Sequence, residues 1–154
     1  MEIKEGYMPF MGYQTYYRIV GKTEEGKSPI ILLHGGPGST HNYFELLDRV
    51  AETGRAVIMY DQLGCGNSFV EGHPELWTPE TWLNELCALI DYLHIDHFHL
   101  LGQSWGGMLA IIYLIEKQGK GVKSAILSST LSSSKLWASE QHRMIKFMSE
   151  EDQR

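Results

Sequence analysis

A single serine between glycines is the strongest sign of chemistry in this sequence. Residues Gly102 to Gly106 read G-Q-S-W-G and match G-x-S-x-G, the pattern of a strand that turns sharply into a helix. Such a turn projects the hydroxyl of Ser104 above the sheet, and side chains in place of the two glycines would collide with neighbouring backbone. The amides at the start of the following helix favour negative charge close by. The pattern therefore predicts that Ser104 is the nucleophile of an acyl-transfer reaction rather than a turn residue.

A glycine-rich loop upstream supplies the second candidate element. His34 to Gly38 reads H-G-G-P-G after an apolar run, without the Lys-Ser/Thr pair of a phosphate-binding loop or the G-x-G-x-x-G dinucleotide pattern. In acyl-transfer enzymes a loop in this place gives one backbone N–H to an oxyanion hole, and the residue after the nucleophile gives the other. We therefore predict that Gly36 and Trp105 are the oxyanion donors. We predict a structural role for His34, its ring bonded to nearby backbone, because the base in this architecture comes last in the chain.

Two further polar groups are better explained by structure than by chemistry. Asp61 begins the glycine-punctuated loop D-Q-L-G-C-G-N-S, and the order serine, acid, histidine argues against it as a triad acid, so we expect it to brace its loop. His94, His97 and His99 straddle a helix end and a strand start, which favours helix capping and surface positions over a zinc site. No metal is therefore expected.

The elements that must position these residues follow from the hydrophobic pattern. The first twenty residues alternate loosely, as an antiparallel hairpin would. Short, nearly continuous apolar runs then suit strands buried on both faces of a parallel sheet. These runs are Ile30–Leu33, Val57–Tyr60, Phe98–Leu101 and Ala125–Ser128.

Helical patterns separate the apolar runs. Apolar residues recur at helical spacing between Tyr43 and Val50, and again between Trp82 and Leu93 behind a start signal of Thr78 as cap and Pro79 in the first turn. The segment 108–114 is apolar nearly all round, so we expect its helix to be deeply buried. Strands alternating with helices predict an α/β fold with a doubly wound, mostly parallel sheet.

Composition excludes several classes of function. The chain has 154 residues, 43% of them hydrophobic, which is enough for one core, and its net charge of -6 with no basic stripe disfavours nucleic-acid binding. No apolar run is long enough to span a membrane. Without a secretory pattern in the first twelve residues, and with Cys65 and Cys87 lacking metal or redox spacing, we expect reduced thiols and a cytoplasmic location, the cell envelope being the alternative.

The motifs together resemble one family, the proline iminopeptidases (prolyl aminopeptidases) of the α/β-hydrolase fold. The segments that carry the resemblance are HGGPG, HNYFELLD, YDQLGCGNS, GQSWGG and LSSTLSSSKLW, in this order. The resemblance implies that Ser104 is the nucleophile, with Gly36 and Trp105 as oxyanion donors and no cofactor. It also implies that the substrates are short peptides or amino-acid amides with a free amino terminus, from which proline or another small residue is released.

The sequence departs from the family pattern at its end. In the family, the acid and histidine of the triad follow the seventh and eighth strands, and a helical cap follows the sixth. We therefore interpret 1–130 as the amino-terminal part of the hydrolase core, with an incomplete sheet, and 131–154 as the beginning of the cap. His142 falls in this cap segment and is not expected to act as the base. The chain alone is expected to be inactive and to leave a hydrophobic strand edge open to aggregation.

Several alternatives stay open at this stage. An amino-acid amidase, carboxylesterase or lipase of the same fold would use the same nucleophile. Epoxide hydrolases and haloalkane dehalogenases resemble this fold but carry an aspartate where Ser104 stands. A non-catalytic binding or remnant domain could also be built from the same half of the fold.

Overall fold

One six-stranded sheet organises the chain. The computed structural model describes residues 1–152, so the last two residues of the predicted cap segment, 153–154, lie outside the described residues. The strands are β1 (Ile3–Phe10), β2 (Tyr13–Val20), β3 (Ile30–Leu33), β4 (Val57–Tyr60), β5 (Phe98–Gln103) and β6 (Val122–Ser128). Their order across the sheet is β1-β2-β4-β3-β5-β6. The connections between the parallel strands are a 3-10 helix (His41–Thr53), α1 (Pro79–Tyr92) and α2 (Trp105–Glu116), and α3 (Ser134–Ile145) follows β6.

Strand directions confirm the predicted mostly parallel sheet. β1 and β2 form the expected antiparallel hairpin, and β2 runs antiparallel to β4. β3 pairs in parallel with both β4 and β5, and β5 pairs in parallel with β6. β3 and β5 therefore end side by side at the same edge of the sheet, which is where open α/β sheets bind their ligands.

The central strands are buried on both faces, as their continuous apolar runs predict. On one face, Ile31 and Leu33 of β3 belong to the larger core, which also contains the buried sides of α1 and α2. On the other face, Leu32 packs in a smaller core with Phe44 of the 3-10 helix. Successive side chains of a strand point to opposite faces, so the sheet carries helices on both sides. This is the doubly wound arrangement.

The start of α1 confirms its sequence signal. Thr78 is the N-cap, and its hydroxyl accepts a hydrogen bond from the N–H of Thr81 at 3.1 Å, with Pro79 in the first turn. Trp82, Leu86 and Leu89 lie on the buried face. The helix thereby closes one side of the sheet above the loop that follows β4.

The first connection is a 3-10 helix, and only part of its expected apolar face is buried. Phe44 is buried, with Leu47 and Val50 packed partly against the same core. These residues are three apart, which places them on one face of a helix with three residues per turn. Leu46 falls outside this face and is 85% exposed.

Two sequence expectations about burial are wrong. α2 buries Leu109, Ala110 and Tyr113, but the other four residues of the segment 108–114 are only half-buried, so the segment is not deeply buried all round. β6 is the edge strand, with β5 as its neighbour, and its apolar Ile126 and Leu127 are about half exposed at 50% and 45%. An apolar run is buried only where other elements cover both of its faces, and the described residues do not cover β6 in this way.

Candidate active site

Ser104 occupies a strained turn between β5 and α2. Its φ of 54° and ψ of -119° lie in a region that side-chain-bearing residues rarely adopt. The surrounding structure holds this backbone in place: the N–H of Ser104 donates to Ser128 O at 2.9 Å, and its carbonyl accepts from Thr130 Oγ1 at 2.7 Å. The side chain is half-buried, and within residues 1–152 nothing hydrogen-bonds its hydroxyl. The hydroxyl is thus presented in the way that a nucleophile requires.

The glycines around Ser104 are required by their neighbours. A Cβ at Gly102 would overlap the carbonyl oxygen of Gly106, and a Cβ at Gly106 would overlap the carbonyl oxygen of Leu33. Both obstacles are backbone atoms, which a rotamer change cannot relieve. The collision predicted from G-x-S-x-G is therefore confirmed, and the motif here is a steric necessity.

The glycine loop after β3 lies directly against the serine. Leu33, the last residue of β3, pairs with Gly102 of β5. A Cβ built on Gly35 would lie 3.1 Å from Ser104 Cβ, so this loop packs closely against the nucleophile. The N–H of Gly35 donates to the hydroxyl of Tyr43 at 2.7 Å, which holds the start of the loop in place. Gly36 has a φ of 119°, a conformation that favours glycine.

Two backbone N–H groups in the loops around Ser104 have no hydrogen-bond partner within residues 1–152. Trp105 is the first residue of α2, where an N–H has no partner inside the helix. Among the described residues, neither the Trp105 N–H nor the Gly36 N–H donates a hydrogen bond. Unpaired donors next to a nucleophile can stabilise an oxyanion that forms during acyl transfer. The geometry thus brings the three residues predicted from sequence to the adjoining ends of β3 and β5.

The Trp105 side chain is fixed below the turn. Its indole N–H donates to Gln62 Oε1 at 2.8 Å, and its ring packs edge-on against Trp82 at a centroid distance of 5.2 Å. Trp105 is buried, so the backbone at the start of α2 is anchored by its own side chain.

His34 is a structural residue, as predicted. It is fully buried, its Nδ1 lies 2.9 Å from Gly35 O, and its Nε2 accepts from the N–H of Gln62 at 2.9 Å. A carbonyl can only accept and a backbone N–H can only donate, so the ring carries its proton on Nδ1 and is neutral. Burial lowers the pKa of His34, although the hydrogen bond to Gly35 opposes this. Its two ring nitrogens are both committed to backbone.

Asp61 braces its loop, also as predicted. Its Oδ1 accepts from both the backbone N–H and the ring of His41, at 2.8 Å and 2.7 Å, and its Oδ2 accepts from the Asn67 N–H at 2.9 Å. Burial alone would raise the pKa of Asp61, but these hydrogen bonds outweigh burial and hold the pKa below its usual value. The charged form is therefore tied into the loops after β3 and β4.

Three residues that hydrogen-bond groups around the site were not predicted from the sequence. Gln62 bonds His34 and Trp105, and the Tyr43 hydroxyl donates to Gln103 Oε1 at 2.9 Å while holding Gly35. Glu85 is fully buried in α1 and accepts from Thr15 Oγ1 and from the N–H of Leu63. Only Glu85 gave a sequence signal, since it stands three residues after Trp82 on the apolar face of a predicted helix.

The remaining histidines and the cysteines lie elsewhere. His94 follows the end of α1, and His99 on β5 contacts Arg55 Nη1 and Ser124 Oγ at 3.1 Å and 2.8 Å. His142 is exposed on α3, with its Nδ1 2.7 Å from Ala138 O. Both cysteines are free thiols. In the part of the chain that the structure describes, no cluster of histidine, cysteine and acidic residues could hold a metal ion, and no helix is long and apolar enough to cross a membrane.

Comparison with known proteins extends these observations. Residues 28–153 match the family model of the alpha/beta hydrolase fold. Curated proline iminopeptidases from Clostridioides difficile (strain 630) and Lactobacillus helveticus are 68% and 63% identical to this chain. The alignments cover 100% and 99% of the chain but 53% and 52% of those proteins. The chain thus spans about half the length of the curated relatives it matches.

Solved structures show the same half-length overlap. The crystal structure of the proline iminopeptidase of Mycobacterium smegmatis superposes with a TM-score of 0.86 at 33% identity, covering 95% of this chain and 50% of that one. The crystal structure of VinJ superposes with a TM-score of 0.88 at 36% identity, covering 97% and 51%.

Proposed function

Since the match over residues 28–153 shows that the chain belongs to the α/β-hydrolase family, we propose that the protein it contributes to is a serine aminopeptidase. It releases an amino-terminal proline, or another small residue, from short peptides or amino-acid amides. The observation that carries the proposal is the free Ser104 hydroxyl on its strained turn between the unpaired N–H groups of Gly36 and Trp105. The names of the relatives, which are 68% and 63% identical, support the substrate class.

The proposed reaction is acyl transfer through a covalent intermediate. Ser104 Oγ attacks the carbonyl carbon of the terminal residue while a histidine outside this chain takes the serine proton. The carbonyl oxygen becomes an oxyanion held by the Gly36 and Trp105 N–H groups, each donor contributing about 2.7–4 kcal/mol to transition-state stabilisation. The amine leaves with the proton from the histidine, and water then hydrolyses the acyl-enzyme. Neither a metal nor a cofactor takes part in these steps.

We assign residues 131–154 to the start of a cap over this site. α3 begins at the N-cap Ser133, whose hydroxyl accepts from the Leu136 N–H, and it carries exposed apolar residues including Trp137 and Met144. A helix with exposed apolar residues can cover a substrate pocket. The segment follows β6, which runs parallel to β5, so it begins at the same edge of the sheet as the carboxyl ends of β3 and β5.

The proposal is tested with the full-length protein and a proline arylamide. Ser104→Ala should lower kcat by up to about 10⁶-fold, as loss of the nucleophile does in serine proteases. Ser124→Ala is the matched control and should leave turnover unchanged, because Ser124 is exposed and pairs with His99 near the start of β5, at the other end of that strand from Ser104. Undiminished turnover in Ser104→Ala would show that the nucleophile is misassigned.

A second arm of the experiment separates the aminopeptidase from other hydrolases of the fold. The wild-type protein is given the proline arylamide with its amine free, the same compound with its amine blocked, and a simple nitrophenyl ester. An aminopeptidase should require the free amine. Efficient hydrolysis of the blocked compound or of the ester would identify an amidase or esterase instead.

A further inference from the structure

Gln62 lies where the three loops of the candidate site meet. It follows β4 and Asp61, and it is fully buried. Its backbone N–H donates to His34 Nε2 at 2.9 Å, and its side-chain Nε2 donates to the carbonyl oxygen of His34 at 2.9 Å. Its Oε1 accepts from the indole N–H of Trp105 at 2.8 Å. One side chain therefore connects His34, the first residue of the glycine loop, with Trp105, the residue after Ser104.

The chemistry of the partners fixes the orientation of this amide. The indole of Trp105 can only donate, so it must face the amide oxygen, and the carbonyl of His34 can only accept, so it must face the amide nitrogen. A carboxylate at this position would keep the acceptor and lose the donor. An aliphatic side chain would lose both, and glutamine therefore meets both requirements where these other side chains do not.

Each residue that hydrogen-bonds the Gln62 side chain is linked to one of the two candidate oxyanion donors. His34 stands two residues before Gly36, and Trp105 itself carries the second donor N–H. Both N–H groups must lie about 2.7–3.1 Å from one developing oxyanion, so their separation is restricted. A bridge that ties the backbone carbonyl of His34 and the indole of Trp105 to the same amide restricts this separation. Movement of either loop by about 1 Å can cost about 100-fold in rate.

We propose that Gln62 is a positioning residue that sets the spacing of the Gly36 and Trp105 N–H groups in the oxyanion hole. This inference rests on the proposed function, since it requires an acyl-transfer reaction at Ser104. Gln62 touches neither the substrate nor the reacting atoms. It acts through His34 on one side and through the Trp105 indole on the other, and it acts on the transition state, in which the oxyanion exists.

The test uses Gln62→Met in the full-length protein, with a proline arylamide as substrate. Methionine keeps the length of the side chain and removes both side-chain hydrogen bonds, while the backbone N–H bond to His34 stays. We expect kcat to fall about 10- to 100-fold while KM stays within about twofold, because the oxyanion is absent from the bound ground state. The rate at which diisopropyl fluorophosphate modifies Ser104 should fall in parallel. Gln14→Met, at an exposed position of β2, is the control and should change neither quantity.

Trp105→Phe provides a second variant that keeps a six-membered aromatic ring and removes the five-membered ring that carries the indole N–H. It should also lower kcat, and combining it with Gln62→Met should lower kcat by less than the product of the two separate effects, because both remove the same bridge. Thermal unfolding identifies any variant that does not fold. If Gln62→Met does not fold, Gln62→Glu replaces it, since it keeps the acceptor for Trp105 and should show a smaller fall in kcat.

The failure of this inference can be told from failure of the proposed function. Wild-type turnover and its loss in Ser104→Ala test the function alone. If those results hold and a folded Gln62→Met keeps wild-type kcat, or loses kcat/KM through KM only, Gln62 does not position the oxyanion hole.

Discussion

At the scale of single residues, the site depends on backbone atoms that approach more closely than side chains allow. Gly106 is the clearest case, because a Cβ there would overlap the carbonyl oxygen of Leu33 and lie 2.7 Å from that of His34. The first carbonyl belongs to the last residue of β3, and the second belongs to the first residue of the glycine loop. The contact therefore joins the turn of the nucleophile to the loop that holds Gly36.

Gly106→Ala should destabilise the protein and reduce its activity. Overpacking of this kind costs about 1–3 kcal/mol, and relieving it requires β3 and the turn to move apart, which would also displace Gly36. Gly107→Ala is the comparison, since its Cβ would meet only the side chain of Thr130. Urea unfolding of the full-length variants should rank Gly106→Ala below Gly107→Ala. Equal free energies of unfolding would contradict the steric argument.

Residues whose roles depend on local backbone geometry could be predicted from the sequence, and residues whose roles depend on distant partners could not. Ser104 and its neighbouring glycines act through local backbone geometry, which a five-residue pattern specifies. Gln62 and Tyr43 act through partners far away in the chain: Gln62 lies 43 residues from Trp105, and Tyr43 lies 60 residues from Gln103. Such contacts depend on strand order and register, and no local pattern predicts them.

At the scale of elements, α1 carries a buried carboxyl group that couples it to its neighbours. Glu85 connects Thr15 of β2 with the N–H of Leu63 in the loop after β4. Burial raises the pKa of Glu85 to about 7, although these hydrogen bonds oppose the rise. The loop that follows Gln62 is thus held by an acid that titrates near neutral pH.

This carboxyl group predicts a pH dependence of stability. A raised folded pKa means that the folded state binds the proton more tightly, so stability should be highest below the unfolded pKa of about 4.3 and fall as the pH rises to about 7. The fall attributable to Glu85 is about 3 kcal/mol. Glu85→Gln should remove it, and Glu80→Gln, at an exposed position of the same helix, should not.

Urea unfolding of the full-length protein at pH 5 and pH 7.5 measures this difference. The informative quantity is the pH dependence of the wild type minus that of Glu85→Gln, because other titrating groups cancel. If the two proteins lose the same stability between these pH values, Glu85 does not carry the effect.

Element types were predictable where burial and pattern agree. The continuous runs of β3 and β4 and the capped start of α1 gave their structures directly. The same kind of apolar run gave a wrong prediction of burial at β6. An apolar run shows which side chains favour burial, but it does not show whether another element covers them. The 3-10 form of residues 41–53 was likewise hidden, since spacings of three and four residues fit both kinds of helix.

At the scale of the whole molecule, residues 1–152 hold the proposed nucleophile and the proposed oxyanion donors, but no histidine in contact with Ser104. Within residues 1–152, no histidine hydrogen-bonds the hydroxyl of Ser104. His34 and His41 are buried and bonded to other groups, and His142 lies exposed on α3. The serine proton therefore has no acceptor in this part of the protein.

The chain of residues 1–154 should hydrolyse a proline arylamide at least about 10⁴-fold more slowly than the full-length protein. An oxyanion hole and substrate binding alone retain only about 10³–10⁴-fold catalysis over water. Side-by-side assays at equal concentrations, with circular dichroism to show that the shorter chain is folded, measure the difference. Comparable turnover would mean that a base within the shorter chain serves Ser104.

The strand order also determines when the site can form during synthesis. The glycine loop follows β3, but β3 pairs in parallel with β5, and the Tyr43 hydroxyl that holds Gly35 waits for Gln103, 60 residues later. At 5–20 residues per second, the ribosome needs about 3–12 s to make that interval. Until β5 has been made, β3 has no partner strand on that edge. The contacts that hold the glycine loop beside Ser104 can therefore form only after β5 has been synthesised.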